Sequence, residues 1–154
     1  EDSKEIKAEK LSVIALKTVD VKGIGYYTLG KKRKEITDDQ MEKYNKIFES
    51  YFLKSFTSRL TDYSDPKITV LSSEKINEKY TIVKSVLVKT DKKPEVKIDW
   101  RVYTKNPENP LIRDLIIEGL SLARTQKEEF SSILSSNNND INALFSKLEE
   151  FINK

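Results

Sequence analysis

Residues 111–130 read LIRDLIIEGLSLARTQKEEF, and the stretch changes period half-way along. Up to Ile117 it is a β-branched apolar run of strand length, whereas after Gly119 the apolar residues Leu122, Ala123 and Phe130 recur at helical spacing. It reads as the last strand of a sheet turning sharply into a helix, so sheet and helix are held together at this point of the chain. Asp114 and Glu118 are charges inside the apolar run, where a carboxylate must be paired, solvated or at a site.

Working back from this stretch, the period is 2 over Ile68–Leu71, Tyr80–Val88 and Val96–Tyr103. The connectors carry Asn77, Asp91, Pro94, Asn106, Pro107, Asn109 and Pro110. With Leu111–Ile117 these segments make four strands in succession, which predicts an antiparallel meander. In the third, Val96, Ile98, Trp100 and Val102 share one face, while Lys97, Asp99, Arg101 and Tyr103 share the other. One side of the sheet therefore meets water and helices must cover the apolar side.

Both ends of the chain supply helices. Residues 1–17 carry Ile6, Leu11, Ile14 and Ala15 among charges, a weak amphipathic helix with a narrow packing stripe and an expectation of fraying. Asp20 stands as the N-cap of a short helix through Leu29, with Val21 and Ile24 inward and Gly30 as its stop. Gly23 and Gly25 weaken that helix, either as a tolerated cost or to admit another backbone or a ligand. Lys31–Lys34 is a basic connector, solvated or facing anionic headgroups or an acidic partner. Thr37 and Gln40 form a capping box for one long helix to about Thr61, whose apolar face runs Met41, Tyr44, Ile47, Phe48, Tyr51, Phe52, Phe56 and Leu60. That aromatic face suits a packed core or the wall of an apolar cavity.

After the sheet, Leu122, Ala123, Phe130, Ile133 and Leu134 make a stripe, Asn137–Asp140 a polar turn, and Ile141, Leu144, Phe145, Leu148, Phe151 and Ile152 a final amphipathic helix. Helices, a meander and helices again describe an α+β fold with the helices on one sheet face, expected as one domain over residues 1–154.

Composition narrows the function. With 28 basic and 25 acidic residues among 154, the net charge of +3 comes from interspersed signs, which argues against a nucleic-acid surface. The sequence has no cysteine and no histidine, which removes disulfides, thiolate chemistry, the commonest general base and the commonest metal ligands. No apolar run approaches the roughly 20 residues of a membrane-spanning helix. A non-enzymatic protein without cofactor or metal is the expectation.

The residues Asp114, Glu118, Gly119, Ser121, Leu122 and Phe130 resemble the signature of the MlaC family, also called the Ttg2-type toluene-tolerance family. That signature is an Asp, a short apolar run, Glu-Gly-Val-Ser-Leu, an Asn-Tyr-Arg cluster and a Phe. A second block agrees in order and spacing: Asp20, Leu29, Gly30, Phe48 and Phe52 stand where the family has an Asp-led short helix ending Leu-Gly and a long helix with spaced phenylalanines. The resemblance covers about Asp20–Leu148. It departs at Gln126 and Lys127, which replace a tyrosine and an arginine, at Lys31–Lys34, which lacks the usual tryptophan, and at Arg113, where an aromatic residue often stands.

The resemblance implies a periplasmic phospholipid-binding protein, its export leader removed, whose sheet and covering helices enclose an apolar pocket for the acyl chains of a glycerophospholipid. The wall it implies comprises Phe48, Phe52, Phe56, Val86, Val88, Val96, Ile98, Trp100, Val102, Leu115, Ile117, Leu122, Phe130, Leu134 and Leu144. Asp114, Glu118, Gly119 and Ser121 form a structural corner. The implied role is that of a monomeric auxiliary protein to an inner-membrane ABC transporter with an MCE-domain ring. It would also meet an outer-membrane lipoprotein–porin complex and so serve outer-membrane lipid asymmetry. The competing reading is a ligandless protein-interaction domain of NTF2-like or cystatin-like shape, and a third is an enzyme using Asp114 or Glu118.

Overall fold

The computed structural model describes residues 3–60, 67–90 and 94–154, with the side chains of residues 59 and 60 excepted. Thr61, Asp65, Pro66 and Asp91, together with the side chain of Leu60, lie outside the described residues. The elements run α1 (Lys4–Thr18), α2 (Val21–Thr28), a 3-10 turn (Gly30–Lys34), α3 (Asp38–Leu60), β1 (Ile68–Lys75), β2 (Tyr80–Leu87), β3 (Val96–Tyr103), β4 (Leu111–Ile117), β5 (Leu120–Ser121), α4 (Leu122–Ser135) and α5 (Ile141–Ile152). This is an α+β fold with one antiparallel meander in the order β1-β2-β3-β4-β5.

Local chemistry explains the helix ends. Asp20 caps α2 by accepting the Gly23 N–H at 3.0 Å. Thr37 and Gln40 exchange hydrogen bonds at the start of α3, the Thr37 N–H donating to the Gln40 side chain at 2.9 Å and the Gln40 N–H to the Thr37 hydroxyl at 3.1 Å. Gly30 takes φ +57° just past α2, a conformation that costs glycine little. Asn138 and Asn139 bend the chain between α4 and α5 with φ of 57° and 59°. At the far end of α5 the Lys54 ammonium donates to the carbonyls of Phe151, Ile152 and Lys154, tying α3 to α5 and neutralising the negative helix end.

The buried core lies within the helical layer. Ala15, Leu29, Tyr44, Phe48, Phe130, Leu134, Leu144 and Phe145 belong to one cluster, to which no strand contributes a buried member among the described residues. The Phe48 ring stacks on Tyr44 and meets Phe130 edge-on. Gly25 admits this packing: a methyl group there would stand 2.6 Å from the Phe48 ring, so the close approach is to a core side chain.

Helix-to-sheet packing is concentrated at one edge, where α2 and α4 meet β4 and α4 also meets β5. The long α3 packs instead on α1, α2 and α5. Val19 bridges Ile112 in parallel, and the Asp20 N–H donates to the Ile112 carbonyl at 2.9 Å, stitching the start of α2 to the same strand. The two layers are thus joined along β4 like covers along a spine.

The two-residue strand β5 is the element that periodicity did not indicate. It exists because Glu118 and Gly119 both take positive φ, 49° and 83°, making a two-residue hairpin that pairs Ile117 with Leu120 before the helix begins at Leu122. Two residues are too short for alternation to register.

Candidate functional site

The corner after β4 is a network of carboxylates and backbone donors. One oxygen of the buried Asp114 accepts the Ser121 hydroxyl, and the other accepts the Ala123 N–H at 3.0 Å. The Ser121 oxygen in turn caps α4 by accepting the Arg124 N–H at 3.1 Å. Glu118 accepts the Lys97 N–H at 2.7 Å and donates its own N–H to the Lys97 carbonyl at 2.9 Å, so it extends the pairing of β3 past the turn. Gly119 has no neighbour that an added methyl would meet; its φ of +83° is what favours glycine.

A second cluster lies at the other end of β4. A bulge makes Arg113 the extra residue between pairs Arg101–Asp114 and Val102–Ile112. Its guanidinium donates to Asp20 at 2.9 Å and to the Tyr80 hydroxyl at 3.0 Å, and lies 4.0 Å above the Tyr103 ring. Burial works against its charge, but the Tyr80 and Asp20 oxygens outweigh that and hold its pKa above the ordinary value. Arg113 thus links the sheet to the cap of α2. In the helical core the Tyr44 hydroxyl meets Thr28 at 2.7 Å, and since Thr28 donates to the Gly25 carbonyl, Tyr44 is the donor. Burial pushes the Tyr44 phenol well above its usual range.

The sheet's apolar face follows from its register, because residues directly opposite on antiparallel strands share a face. Val96 faces Leu87; Ile98 faces Ser85 and Ile117; Trp100 faces Val83 and Leu115; Val102 faces Thr81 and Ile112. Ile112 packs against the helical core, so this face is the one turned toward the helices. Val83, Val96, Ile98, Trp100, Val102, Leu115 and Ile117 are nevertheless only half-buried, and the helical core closes without them. Buried Ser85 is satisfied there: it donates to the Ile98 carbonyl at 2.6 Å and accepts the Trp100 indole N–H at 2.8 Å.

The residues expected as a pocket wall divide into separate groups. Phe48, Phe130, Leu134 and Leu144 sit in the helical core. Phe52 and Phe56 stack on each other with ring centres 5.8 Å apart, half-buried at the margin of that core, and Leu122 is half-buried at the start of α4. The sheet residues from Val96 to Ile117 share the apolar face. Val86 and Val88 stand apart from that face: Val86 faces Lys97, on the opposite side from Ile98, and Val88 is 40% exposed beyond the end of β2. The residues that β2 presents on the face of Ile98 are Val83, Ser85 and Leu87. Valines occupy both parities of this strand, so alternation alone could not choose the face; the only signal was the polar Lys84 on the even side.

Two surface depressions lie elsewhere. One of about 400 Å³ is lined by Tyr27, Arg124, Lys127, Glu128 and Ser131, and one of about 230 Å³ lies between α4 and α5 and includes Phe130, Ile133 and Phe151. Neither is lined by a strand. Among the described residues no group of three acidic side chains is placed to hold a metal ion, and no helix is long and apolar enough to cross a membrane.

A family model described as MlaC protein matches residues 1–150. The chain belongs to the MlaC family. Among solved structures, this MlaC-family chain is similar to a phospholipid-binding protein from Ralstonia solanacearum, solved in complex with a phospholipid, with a TM-score of 0.80 and 18% identity. The match covers 97% of this chain and 82% of that one, and establishes a shared fold. No curated protein matches the sequence.

Proposed function

We propose that this MlaC-family protein is a non-enzymatic carrier of glycerophospholipid, holding acyl chains between the apolar face of β2–β4 and the helical layer. The observation that carries this reading is the incomplete burial of that face: seven apolar residues on three strands stay only partly buried while the helices complete a core of their own. A ligandless domain would be expected to close these surfaces on each other, since each fully buried side chain of this kind contributes about 1.5–3 kcal/mol. Family membership and the phospholipid-bound relative of the same fold support the same cargo.

Energetics then constrain how the carrier works. A diacyl lipid has on the order of 30 methylenes, and at about 0.8 kcal/mol each its exposure to water costs roughly 20 kcal/mol or more. Release into bulk water is excluded by that cost. Exchange proceeds while the protein is docked, as a periplasmic monomer, to an inner-membrane MCE-domain ABC transporter or an outer-membrane lipoprotein–porin complex that shields the tails. The carboxylates of Asp114 and Glu118 act here as structural acceptors, both oxygens of Asp114 engaged by Ser121 and Ala123 and one oxygen of Glu118 by Lys97.

Native mass spectrometry of protein purified from bacteria tests the cargo. The expected result is a mass increment that dissociates as phospholipid and is confirmed by organic extraction. A protein that purifies without lipid and takes none up from vesicles would leave the interaction-domain reading in its place.

A further inference from the structure

The apolar face of the sheet has a direction. At one end the row Lys75, Thr81 and Val102 crosses three strands, and at the other end the row Ile68, Leu87 and Val96. Lys75 is the one charged side chain that the paired positions of β1–β4 place on this face. The bulged Arg113 turns instead to Tyr80 and Tyr103 of the other face. Thr104 continues the row beyond Val102, and its hydroxyl meets that of Thr81 at 2.8 Å. Two hydroxyls bonded to each other share one proton and keep the second for another acceptor. Among the described residues nothing accepts from that second proton or from the Lys75 ammonium.

Burial follows the same direction. Along β2, Thr81 and Val83 are only partly buried, whereas Ser85 and Leu87 are 2% and 5% exposed. On this strand the apolar row is the closed end and the hydroxyl row the open one. The joint to α2 near the open end falls on Ile112 of β4, two strands away from Thr81, and β1 is exposed along its whole length. From Thr81 to Leu87 is six residues of strand, about 20 Å. The hydrocarbon of one bilayer leaflet is about 15 Å deep, so an extended acyl chain fits along β2 between the two rows.

We infer, on the carrier reading, that the phospholipid lies along β2 with its phosphate at Lys75, Thr81 and Thr104 and its acyl chains running toward Ile68, Leu87 and Val96. The ammonium and the spare hydroxyl proton donate to phosphate oxygens at the open end, and the methyl ends of the chains reach the closed one. Trp100 distinguishes this direction from its reverse, since it stands two residues, about 7 Å, from Val102 and four residues, about 14 Å, from Val96. Delipidated protein is loaded with phosphatidylglycerol brominated either near the carbonyl end of its acyl chains or near their methyl end. The first lipid should quench most of the tryptophan emission and the second a minor part. Lys75 is exposed, so Lys75→Ala leaves the core intact. That variant should retain phosphatidylglycerol about fivefold less well, with unchanged retention of diacylglycerol, which has no phosphate. Equal or stronger quenching from the methyl end, or a Lys75→Ala loss that is absent or the same for both lipids, would overturn the inference and leave the carrier reading standing. Failure to take up any of these lipids, or uptake that leaves the emission unchanged, would remove the acyl site on this face and the inference with it.

Discussion

Asp114 accepts the backbone N–H of Ala123 at 3.0 Å, so a residue of the last long strand holds the first turn of the helix that follows. The same carboxylate accepts the Ser121 hydroxyl, which itself caps that helix. Replacing Asp114 by alanine leaves two donors without their acceptor in a buried place, at a cost of about 3 kcal/mol. Asp114→Asn keeps one acceptor oxygen and should lose about half as much. Urea unfolding of the two variants checks this, and an alanine variant within about 0.5 kcal/mol of the parent would contradict the role given to the corner.

Arg113 binds the sheet to the cap of α2 through Asp20 and Tyr80 while lying over Tyr103. Arg113→Ala should destabilise by about 2 kcal/mol. Arg113→Lys should recover less than half of that, because an ammonium cannot reproduce the planar fork that addresses two oxygens and a ring at once. A double-mutant cycle with Asp20→Asn measures the Asp20 share directly. A coupling energy near zero would remove that contact from the seam.

The buried phenol of Tyr44 gives the stability of the helical layer an alkaline limit. Burial raises its pKa above the ordinary 10, so the folded state keeps a proton that the unfolded state gives up. The contribution is fully present below about pH 10 and falls as pH rises, by about 1.4 kcal/mol per unit until the folded group also titrates. Tyr44→Phe should cost about 1 kcal/mol at neutral pH, and the gap to the parent should narrow and reverse above about pH 10. Parallel curves for the two proteins from pH 9 to about 11 would show that Tyr44 is not the group responsible.

Much of this architecture was legible in the sequence because its signals are local. The Thr37–Gln40 box, the Asp20 cap and the bounds of β3 and β4 each follow from a few adjacent side chains, and each appears where those residues place it. Phe48 and Phe52 show where such reading stops. They are four residues apart on one apolar stripe, yet Phe48 is 3% exposed in the core while Phe52 lies at its margin, a difference set by Gly25 and Phe130 from distant parts of the chain. Val86 marks the other limit: its face depends on the pairing partner, and Lys97 is supplied by another strand. The partners of Arg113 were equally hidden, lying 93 and 33 positions away.

Acyl chains lying against the β2–β4 face would meet the single tryptophan of the chain, which stands in the middle of that face. Trp100 is half-buried, fixed by its hydrogen bond to Ser85, and faces Val83 and Leu115. Delipidated protein should therefore be loaded with phosphatidylglycerol brominated along its acyl chains and its tryptophan emission recorded. Most of the emission should be lost at one lipid per protein, with no loss from unbrominated lipid. Uptake of the brominated lipid with Trp100 emission unchanged would place the acyl chains elsewhere and rule out the β2–β4 face as their site.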